Sequence, residues 1–436
     1  MQTSLSPEYK NSSDGLAAEA ILRKCVHCGF CNATCPTYQL LGDELDGPRG
    51  RIYLMKQVLE GVTPTRKTQL HLDRCLTCRN CETTCPSGVD YGHLVDIGRK
   101  LVDAEVPRPA GERALRWALK EGLPSPLFGP AMKMGQRVRG LLPASLKNKV
   151  PEAQDAGIWP TRQHARKVLL LKGCVQPAMM PNIDAATARV LDAAGIQSVL
   201  APKAGCCGAV KFHLNDQDGG KAQMRSNIDA WWPYVAPGGA SSSTGSTGVR
   251  DGKDEKTGAG SSALAVEAIL MNASGCGVTV KEYGHILHDD PAYASKAKRI
   301  SALTKDLSEW LPELAISLQG KVNPAAVKAA GQVAFHPPCT LQHGQKLQGG
   351  VEAHLGALGF NVKVASNEAH LCCGSAGTYS VLNPDIAYAL RDRKLGNLAD
   401  MRPEVIVSAN IGCITHLQSG TSTPVKHWVE VLDAAL

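Results

Sequence analysis

The sequence is poor in aromatic residues and has neither a long apolar run nor a nucleotide-binding signature. Aromatic residues make up 5% of the 436 positions. The best apolar run, at 168–171, is far shorter than the roughly 20 residues that a membrane-spanning helix needs. No Gly-x-Gly-x-x-Gly string opens a helix after a strand, and no Walker loop is present. We therefore expect neither a spanning helix nor a nucleotide cofactor bound by this chain.

The charge and the first residues exclude two further classes. The first 20 residues lack the basic start and apolar centre of a secretory signal, so we expect a cytoplasmic protein. The formal charge is +7, but the 47 basic residues are spread along the chain beside 40 acidic ones, without the dense basic block of a nucleic-acid-binding protein. A mildly basic surface still leaves room for an anionic membrane face or an acidic partner subunit.

Cysteine is abundant and clustered. The chain contains the strings Cys25-x-x-Cys28-x-x-Cys31-x-x-x-Cys35-Pro36 and Cys75-x-x-Cys78-x-x-Cys81-x-x-x-Cys85-Pro86. This spacing is typical of bacterial ferredoxins, in which three thiolates bind one iron–sulfur cubane and the fourth binds the other. Zinc is the alternative, but tetrahedral zinc sites usually use separated pairs of ligands. The 16 cysteines are too sparse for a small disulfide scaffold, so a reducing compartment is indicated.

The chain divides into a first region and a connector before its repeats begin. In residues 1–103, helix-like stretches such as 51–59 alternate with the cysteine strings, which predicts a helical domain with two clusters. Residues 104–165 carry repeated proline punctuation between amphipathic pieces, and this pattern predicts a helical connector.

The rest of the chain is an internal repeat. Residues 166–320 and 330–436 each show a strand, a helix, a second strand, a Cys-Cys-Gly doublet, a further helix and an apolar run that ends in a lone cysteine. The prediction is α+β multidomain: a helical two-cluster domain followed by two α/β cysteine-rich repeats. Residues 237–263 in the first repeat are rich in Gly and Ser, which predicts a flexible insertion.

Each repeat places its cysteines where apolar runs end. Open α/β sheets bind ligands beyond the carboxyl ends of their strands, so four thiols should meet in each repeat. Three interpretations stay open: a cluster in each repeat, a redox-active dithiol, or buried cysteine that serves as a small hydrophobe. His416 is a further candidate ligand because it follows Cys413 at Cys-x-x-His spacing, whereas His336, His343 and His370 have the pattern of ordinary core or surface histidines. The candidate metal or redox residues are Cys174, Cys206, Cys207, Cys276, Cys339, Cys372, Cys373, Cys413 and His416.

The cysteine strings and the paired doublets together resemble the iron–sulfur subunits of bacterial glycolate oxidase, a glycolate dehydrogenase. The wider superfamily includes subunits of anaerobic glycerol-3-phosphate dehydrogenase, lactate-utilisation proteins and heterodisulfide reductase subunits. The glycolate branch is the most similar in the runs Asn272-Ala273-Ser274-Gly275-Cys276-Gly277, His336-Pro337-Pro338-Cys339 and Ser408-Ala409-Asn410-Ile411-Gly412-Cys413.

The resemblance implies how the thiols are shared between two [4Fe-4S] clusters. One would be held by Cys25, Cys28, Cys31 and Cys85, and the other by Cys75, Cys78, Cys81 and Cys35. Relatives of the heterodisulfide reductase type carry another cysteine three residues after the distal one. This chain has Thr279 and His416 there, which argues against a five-thiolate cluster in either repeat.

The resemblance also implies a function. The chain would relay electrons from separate flavin (FAD) subunits, which oxidise glycolate to glyoxylate, toward a quinone-type acceptor, with the clusters as its cofactors and no catalytic residue of its own. Its expected place is the cytoplasm, with room for peripheral contact at the cytoplasmic face of the inner membrane. The alternatives are a subunit for lactate or glycerol-3-phosphate oxidation, or a thiol/disulfide reductase.

Overall fold

A computed structural model describes residues 1–143, 147, 149–236 and 265–436. The insertion predicted at 237–263 lies outside the described residues. The described chain forms a helical first region, a helical connector and two α/β repeats, so the predicted fold class is confirmed.

Short helices that alternate with cysteine loops build the first region. The side chain of Ser12 caps the first helix by accepting a hydrogen bond from the N–H of Gly15. Leu22, Met55 and Leu94 are fully buried at the centre of this region. Its α-helices are Ser13–Lys24, Phe30–Ala33, Pro36–Leu41, Pro48–Leu59, Arg66–Asp73, Asn80–Thr84 and Tyr91–Glu105, with a 3₁₀ turn at Glu44–Asp46.

Two helices, Ala110–Gly122 and Phe128–Arg137, and a 3₁₀ turn at Arg139–Leu141 make up the regular part of the connector. None of these elements contains a buried residue. The connector therefore lies on the surface of the protein.

The first repeat contains a parallel four-stranded sheet. Its strands are β1 (Arg166–Leu170), β2 (Ile196–Val199), β3 (Ala268–Met271) and β4 (Thr304–Asp306). Their spatial order is β2-β1-β3-β4. The α-helices of this part of the chain are Gln176–Met179, Pro181–Ala193, Ala209–His213, Gln217–Val235, Ser274–Lys281, Tyr283–Ile286, Ala294–Leu303, Leu307–Leu318 and Pro324–Ala329.

The second repeat contains a sheet of the same topology. Its strands are β5 (Gln332–Phe335), β6 (Asn361–Val364), β7 (Val405–Ser408) and β8 (Val425–His427), in the order β6-β5-β7-β8 and again parallel. Its α-helices are Gly350–Ala357, Tyr379–Leu382, Pro384–Ala399, Ile411–Gln418 and Trp428–Asp433, and a π-helix spans Thr340–Gly344. Strands β4 and β8 escaped the sequence analysis because each has only three residues.

The two repeats pack against each other. One hydrophobic core contains Leu311 from the first repeat and Phe335 from the second. The N–H of Ser274, just after β3, donates to the carbonyl of Ala409, just after β7, over 3.0 Å. The segments that lead from β3 and β7 into the helices of the lone cysteines Cys276 and Cys413 are therefore adjacent.

Candidate metal centres

An open cavity of about 440 Å³ in the first region, here called the outer cavity, is lined by five cysteines, four of which form one predicted set. These four are Cys25, Cys28, Cys31 and Cys85, the set that the resemblance assigned to one cluster. Cys28 is exposed, whereas Cys25 is buried. This cavity thus has one thiol at the protein surface.

Four cysteines also line a second cavity of about 300 Å³, here called the inner cavity. They are Cys35, Cys75, Cys78 and Cys81, the other predicted set. Cys81 also lines the outer cavity, so the two cavities are neighbours. In both cavities the last cysteine of one string faces the first three of the other string.

Both strings use the same backbone conformation to turn three thiols toward one side. His27 and Gly29 have positive φ angles of 59° and 86°, and the matching Thr77 and Arg79 have 51° and 59°. Left-handed residues among right-handed ones direct successive N–H groups into a concavity, which favours an anionic cluster. Three of these four residues are not glycine, so the conformation is held against a local strain.

Burial and mutual proximity make these thiols poor acids on their own. Burial, followed by the neighbouring Cys25 and Cys85, raises the pKa of Cys31 to about 11. Burial also raises the pKa of Cys78 and of Cys81 well above the ordinary value. Four converging soft donors of this kind fit a cationic iron–sulfur core, which would offset the repulsion among thiolates.

Polar groups surround the inner cavity. The Thr77 N–H and the Tyr91 hydroxyl donate to Cys75 Sγ over 3.4 and 3.6 Å. The guanidinium of Arg51, 1% exposed, lines the cavity and donates to Thr37 Oγ1 over 3.1 Å. Hydrogen bonds and charge around the sulfurs are the features by which a protein tunes a cluster potential.

The four thiols of the first repeat form a chain of contacts. Cys174 pairs with Cys206, Cys206 with its neighbour Cys207, and Cys207 with Cys276. Hydrogen bonds from Cys174 and Cys207 lower the pKa of Cys206, while the same pairing raises that of Cys174. The strand ends therefore bring the predicted set together.

The four thiols of the second repeat are all buried and converge in the same order. Cys339 Sγ lies 3.8 Å from Cys372 Sγ, and Cys373 pairs with Cys372 and Cys413. A ring nitrogen of His336 lies within 4.8 Å of the sulfurs of both Cys373 and Cys413. The sequence analysis interpreted His336 as an ordinary core or surface histidine and not as a ligand, although it directly follows β5 at the edge where the thiols meet.

The other histidines near this site have other partners. His416 Nε2 pairs with the carbonyl of Ala387 over 3.1 Å, and its ring stacks on Tyr388 with 5.8 Å between centroids. Burial lowers the pKa of His416 to about 4. His343 pairs with Thr83 Oγ1 and with the carbonyl of His370, each over 2.9 Å. His343 thus links the helix Asn80–Thr84 to the second repeat.

The inner cavity adjoins the thiols of the second repeat. Burial, followed by the nearby thiol of Cys339, raises the pKa of Cys78. Cys78 is in turn one of the neighbouring groups that raise the pKa of Cys372. Leu76 packs in one hydrophobic cluster with Cys339, Cys372 and Tyr379. The first region thus places one of its cavities directly beside the second repeat.

The first region also contacts the first repeat, through charged and aromatic groups. Arg79, which lines the inner cavity, forms an ion pair with Glu282, and the rings of His93 and His285 stack 3.9 Å apart. Tyr283, next to Glu282, donates from its hydroxyl to the carbonyl of Cys207 over 2.8 Å.

Within the described residues, no helix is both long and apolar enough to cross a membrane.

Comparison with known proteins gives consistent matches. A family profile described as "4Fe-4S dicluster domain" matches residues 21–89, and one described as "Cysteine-rich domain" matches residues 168–237 and 333–418. The glycolate oxidase iron-sulfur subunit of Escherichia coli (strain K12) is 51% identical over 438 aligned positions, which cover 100% of this chain and 99% of that protein.

Two further relatives match the chain at lower sequence identity. The probable glycolate oxidase iron-sulfur subunit of Bacillus subtilis (strain 168) is 29% identical over 95% of this chain and 91% of that protein. Lactate utilization protein A of Geobacillus kaustophilus is 30% identical over 38% of this chain and 70% of that protein.

Proposed function

The chain belongs to the family of glycolate oxidase iron-sulfur subunits, and from this premise we propose that it relays electrons from flavin-containing partner subunits, which oxidise glycolate to glyoxylate, toward a quinone-type acceptor. The observation that carries the proposal is the pair of neighbouring cavities, each lined by one predicted set of four thiols. A bound cubane would supply reversible one-electron transfer. Substrate oxidation itself belongs to the partner subunits, because this sequence offers no flavin or nicotinamide signature.

The thiols have defined tasks in this proposal. Cys25, Cys28, Cys31 and Cys85 bind one [4Fe-4S] cluster, and Cys75, Cys78, Cys81 and Cys35 bind the other. The backbone N–H groups turned inward by the positive φ residues orient the thiols, and Tyr91 and Arg51 stabilise negative charge beside Cys75 and Cys35.

The exposure of the two cavities gives the relay a direction. Cys28 is exposed, and beside it the side chains of Val26 and Phe30 are 69% and 62% exposed. This apolar rim suits the docking of a partner subunit at the outer cavity. The inner cavity adjoins the second repeat, so electrons that enter at Cys28 pass inward to Cys78 and on toward Cys339 and Cys372.

The eight thiols of the repeats hold further inorganic centres in this proposal. Four sulfurs converge in each repeat in the order in which they would surround one centre. The competing function is a subunit for a related 2-hydroxy acid, since relatives named lactate utilization protein A share this architecture over part of the chain. Activity with lactate but not glycolate in the assembled complex would favour that alternative.

A peripheral membrane contact through the connector is the second part of the proposal. Residues 122–151 contain five basic side chains and no acidic one. Large apolar side chains are exposed in and beside this stretch, namely Leu115, Trp117, Leu127, Met134, Val138, Leu141 and Ile158. Exposed apolar groups beside positive charge are the features of a segment that rests on an anionic lipid surface.

Replacement of one thiol in each cavity tests the relay. Cys28→Ser and Cys78→Ser should each remove about four of the roughly eight irons of the first region. Flavin reduction by glycolate in the assembled complex should persist while electron delivery to a quinone analogue fails. Val62→Ser, which changes an exposed side chain of the first region away from both cavities, is the control and should keep both. If both cysteine variants deliver electrons normally, the proposed relay is wrong.

Vesicle flotation tests the membrane contact. The chain should bind vesicles that contain anionic phospholipid and not purely zwitterionic vesicles. The triple variant Lys133→Gln, Arg137→Gln, Lys147→Gln should lose binding, whereas the control Lys203→Gln, Lys328→Gln, Lys363→Gln removes the same charge from exposed positions elsewhere and should retain it. Equal losses in the two triple variants would refute a contact specific to the connector.

A further inference from the structure

His336 is a buried histidine whose ring has no hydrogen-bond partner. Its side chain is 1% exposed, and both ring nitrogens lack a hydrogen-bond partner among the residues that the structure describes. Its backbone is fixed, because its N–H donates to the carbonyl of Val407 over 2.8 Å and its carbonyl accepts from Ser408 Oγ over 2.9 Å. A buried polar group left unpaired destabilises the folded protein, so the ring requires a partner that the described protein atoms do not supply.

Other buried histidines of the described chain do not share this property. His343 has two partners, and His416 has the Ala387 carbonyl. His427 pairs with the carbonyl of Asn272 and accepts from the N–H of Val429. The missing partner is therefore a property of the position of His336 and not of histidine burial in this fold.

The ring of His336 faces the second-repeat thiols. Its nitrogen and the sulfurs of Cys373 and Cys413 all lie within 4.8 Å of one another. Ligand atoms held by one tetrahedral metal at about 2.0–2.3 Å lie roughly 3.3–3.8 Å apart, so these three atoms are close to the spacing of a shared metal ion. The buried ammonium of Lys394 also lies close to Cys373 and Cys372, as expected beside an anionic centre.

The equivalent position of the first repeat has no imidazole. His336 directly follows β5, and Leu171 directly follows β1. Both lie three residues before the first cysteine of their repeat, and both donate a backbone N–H to the third strand of their sheet, to Val407 and Leu270 respectively. At this matched place the second repeat has an imidazole and the first repeat has an aliphatic side chain.

We propose that His336 binds the metal centre of the second repeat directly, beside the thiolates of Cys373 and Cys413, so that this centre has mixed imidazole and thiolate ligands while that of the first repeat has thiolates alone. The inference rests on the proposed function, since it requires an inorganic centre in the second repeat. In a coordination position that an anionic thiolate fills in the first repeat, the neutral imidazole of His336 would lower the negative charge at the metal and raise its potential, as in Rieske centres. The second repeat then accepts electrons readily from the adjoining inner cavity.

Nitrogen spectroscopy on the full chain tests the inference. The protein is reconstituted anaerobically after labelling with ¹⁵N-histidine, and pulsed electron paramagnetic resonance is recorded for the wild type, His336→Leu and His416→Leu. His336→Leu reproduces the residue of the first repeat, and His416→Leu is the matched control. The coupling of a directly bound imidazole nitrogen should be present in the wild type, absent in His336→Leu and retained in His416→Leu, and the midpoint potential of that centre should fall in His336→Leu alone.

Several results would overturn the inference. They are retention of the coupling in His336→Leu, its loss only in His416→Leu, or a wild-type coupling no larger than that of a hydrogen-bonded amide. A reconstituted chain with about eight irons and no further centre would also overturn it and would leave the proposed relay standing, whereas a chain without iron would end both.

A second variant separates ligation from folding. In His336→Gly, added imidazole should restore the nitrogen coupling. The signals of the first-region clusters report whether the fold is intact. Intact signals without rescue would count against direct ligation.

Discussion

Gly374, which follows the second cysteine doublet, gives the sharpest stability prediction. Its φ angle is +90°, a region that residues with a Cβ rarely adopt. A Cβ at this position would lie 2.3 Å from the carbonyl oxygen of Ala387, in the first turns of the helix Pro384–Ala399. Backbone on both sides prevents relief by a side-chain rotation. Gly374→Ala must therefore move the doublet loop or this helix.

The magnitude follows from two contributions. The left-handed conformation costs a residue with a Cβ about 1–2 kcal/mol. The steric conflict adds about 1–3 kcal/mol, the usual cost of overpacking. The expected loss is about 2–5 kcal/mol, or roughly 2–6 °C in the midpoint of thermal unfolding for a chain of 436 residues. The matching Gly208→Ala should cost less, because there the closest atom, the Gly220 carbonyl oxygen, would be 2.8 Å away.

Two other glycines of the same repeat provide controls. Gly377 has a φ of +63° but nothing within 4 Å of a Cβ, so Gly377→Ala should lose only the conformational contribution. Gly396 lies inside the helix Pro384–Ala399 with open space around a Cβ, so Gly396→Ala should gain up to about 1 kcal/mol. Thermal unfolding under anaerobic conditions, followed by circular dichroism, measures all four variants. Equal losses in Gly374→Ala and Gly377→Ala would refute the role assigned to the Ala387 carbonyl.

Three further predictions concern charge and hydrogen bonding. Burial raises the pKa of Asp184 to about 6, so ionisation of this carboxyl destabilises the folded chain increasingly between about pH 4 and 6. Asp184→Asn should therefore stabilise the chain by up to about 3 kcal/mol at pH 7.5 and should have no effect below pH 4. Urea unfolding measures both values. Although burial opposes it, pairing with His93 and Arg79 lowers the pKa of Glu282 from 4.5 to about 2. The stability that this pairing gives is present above about pH 4.5 and is lost as the pH falls toward 2. Glu282→Gln should lower the free energy of unfolding by about 2 kcal/mol at pH 7 and should remove the decrease in this free energy between pH 4.5 and 2. Tyr91→Phe removes the hydrogen bond to Cys75 Sγ and should lower the potential of the inner cluster by about 20–60 mV in a redox titration, and an unchanged potential would separate Tyr91 from that cluster.

Much of the fold was predictable because it depends on local patterns. The runs at 332–335 and 361–364 form the first and second strands that the repeat pattern predicted for residues 330–436. The thiols of each repeat meet because parallel strands end at one edge of a sheet. The boundaries of the domains and the ligand sets remain predictions that the cavities support.

What the sequence did not reveal depends on contacts between distant segments. Nothing in the string around Cys78 indicates that it lies beside Cys339, because this neighbourhood is set by packing of the first region on the second repeat. The Cys-x-x-His spacing pointed to His416 as a ligand. The histidine that lies beside the sulfurs is His336, which directly follows the carboxyl end of β5. The signal was available: residues that directly follow a strand share the edge where the cysteines gather.

The side chain of Asn80 ties three parts of the chain together, since its amide donates to the carbonyls of Thr34 and His370 over 2.9 and 3.3 Å. Tyr379 adds a bond from its hydroxyl to the carbonyl of Arg74 over 2.9 Å. The first region is consequently not an independent module that can be moved between proteins. Transplanted alone into another redox protein, it would expose Leu76 to water and leave Asn80 one bond short. A design that transfers the first region into another redox protein should therefore transfer the second repeat with it.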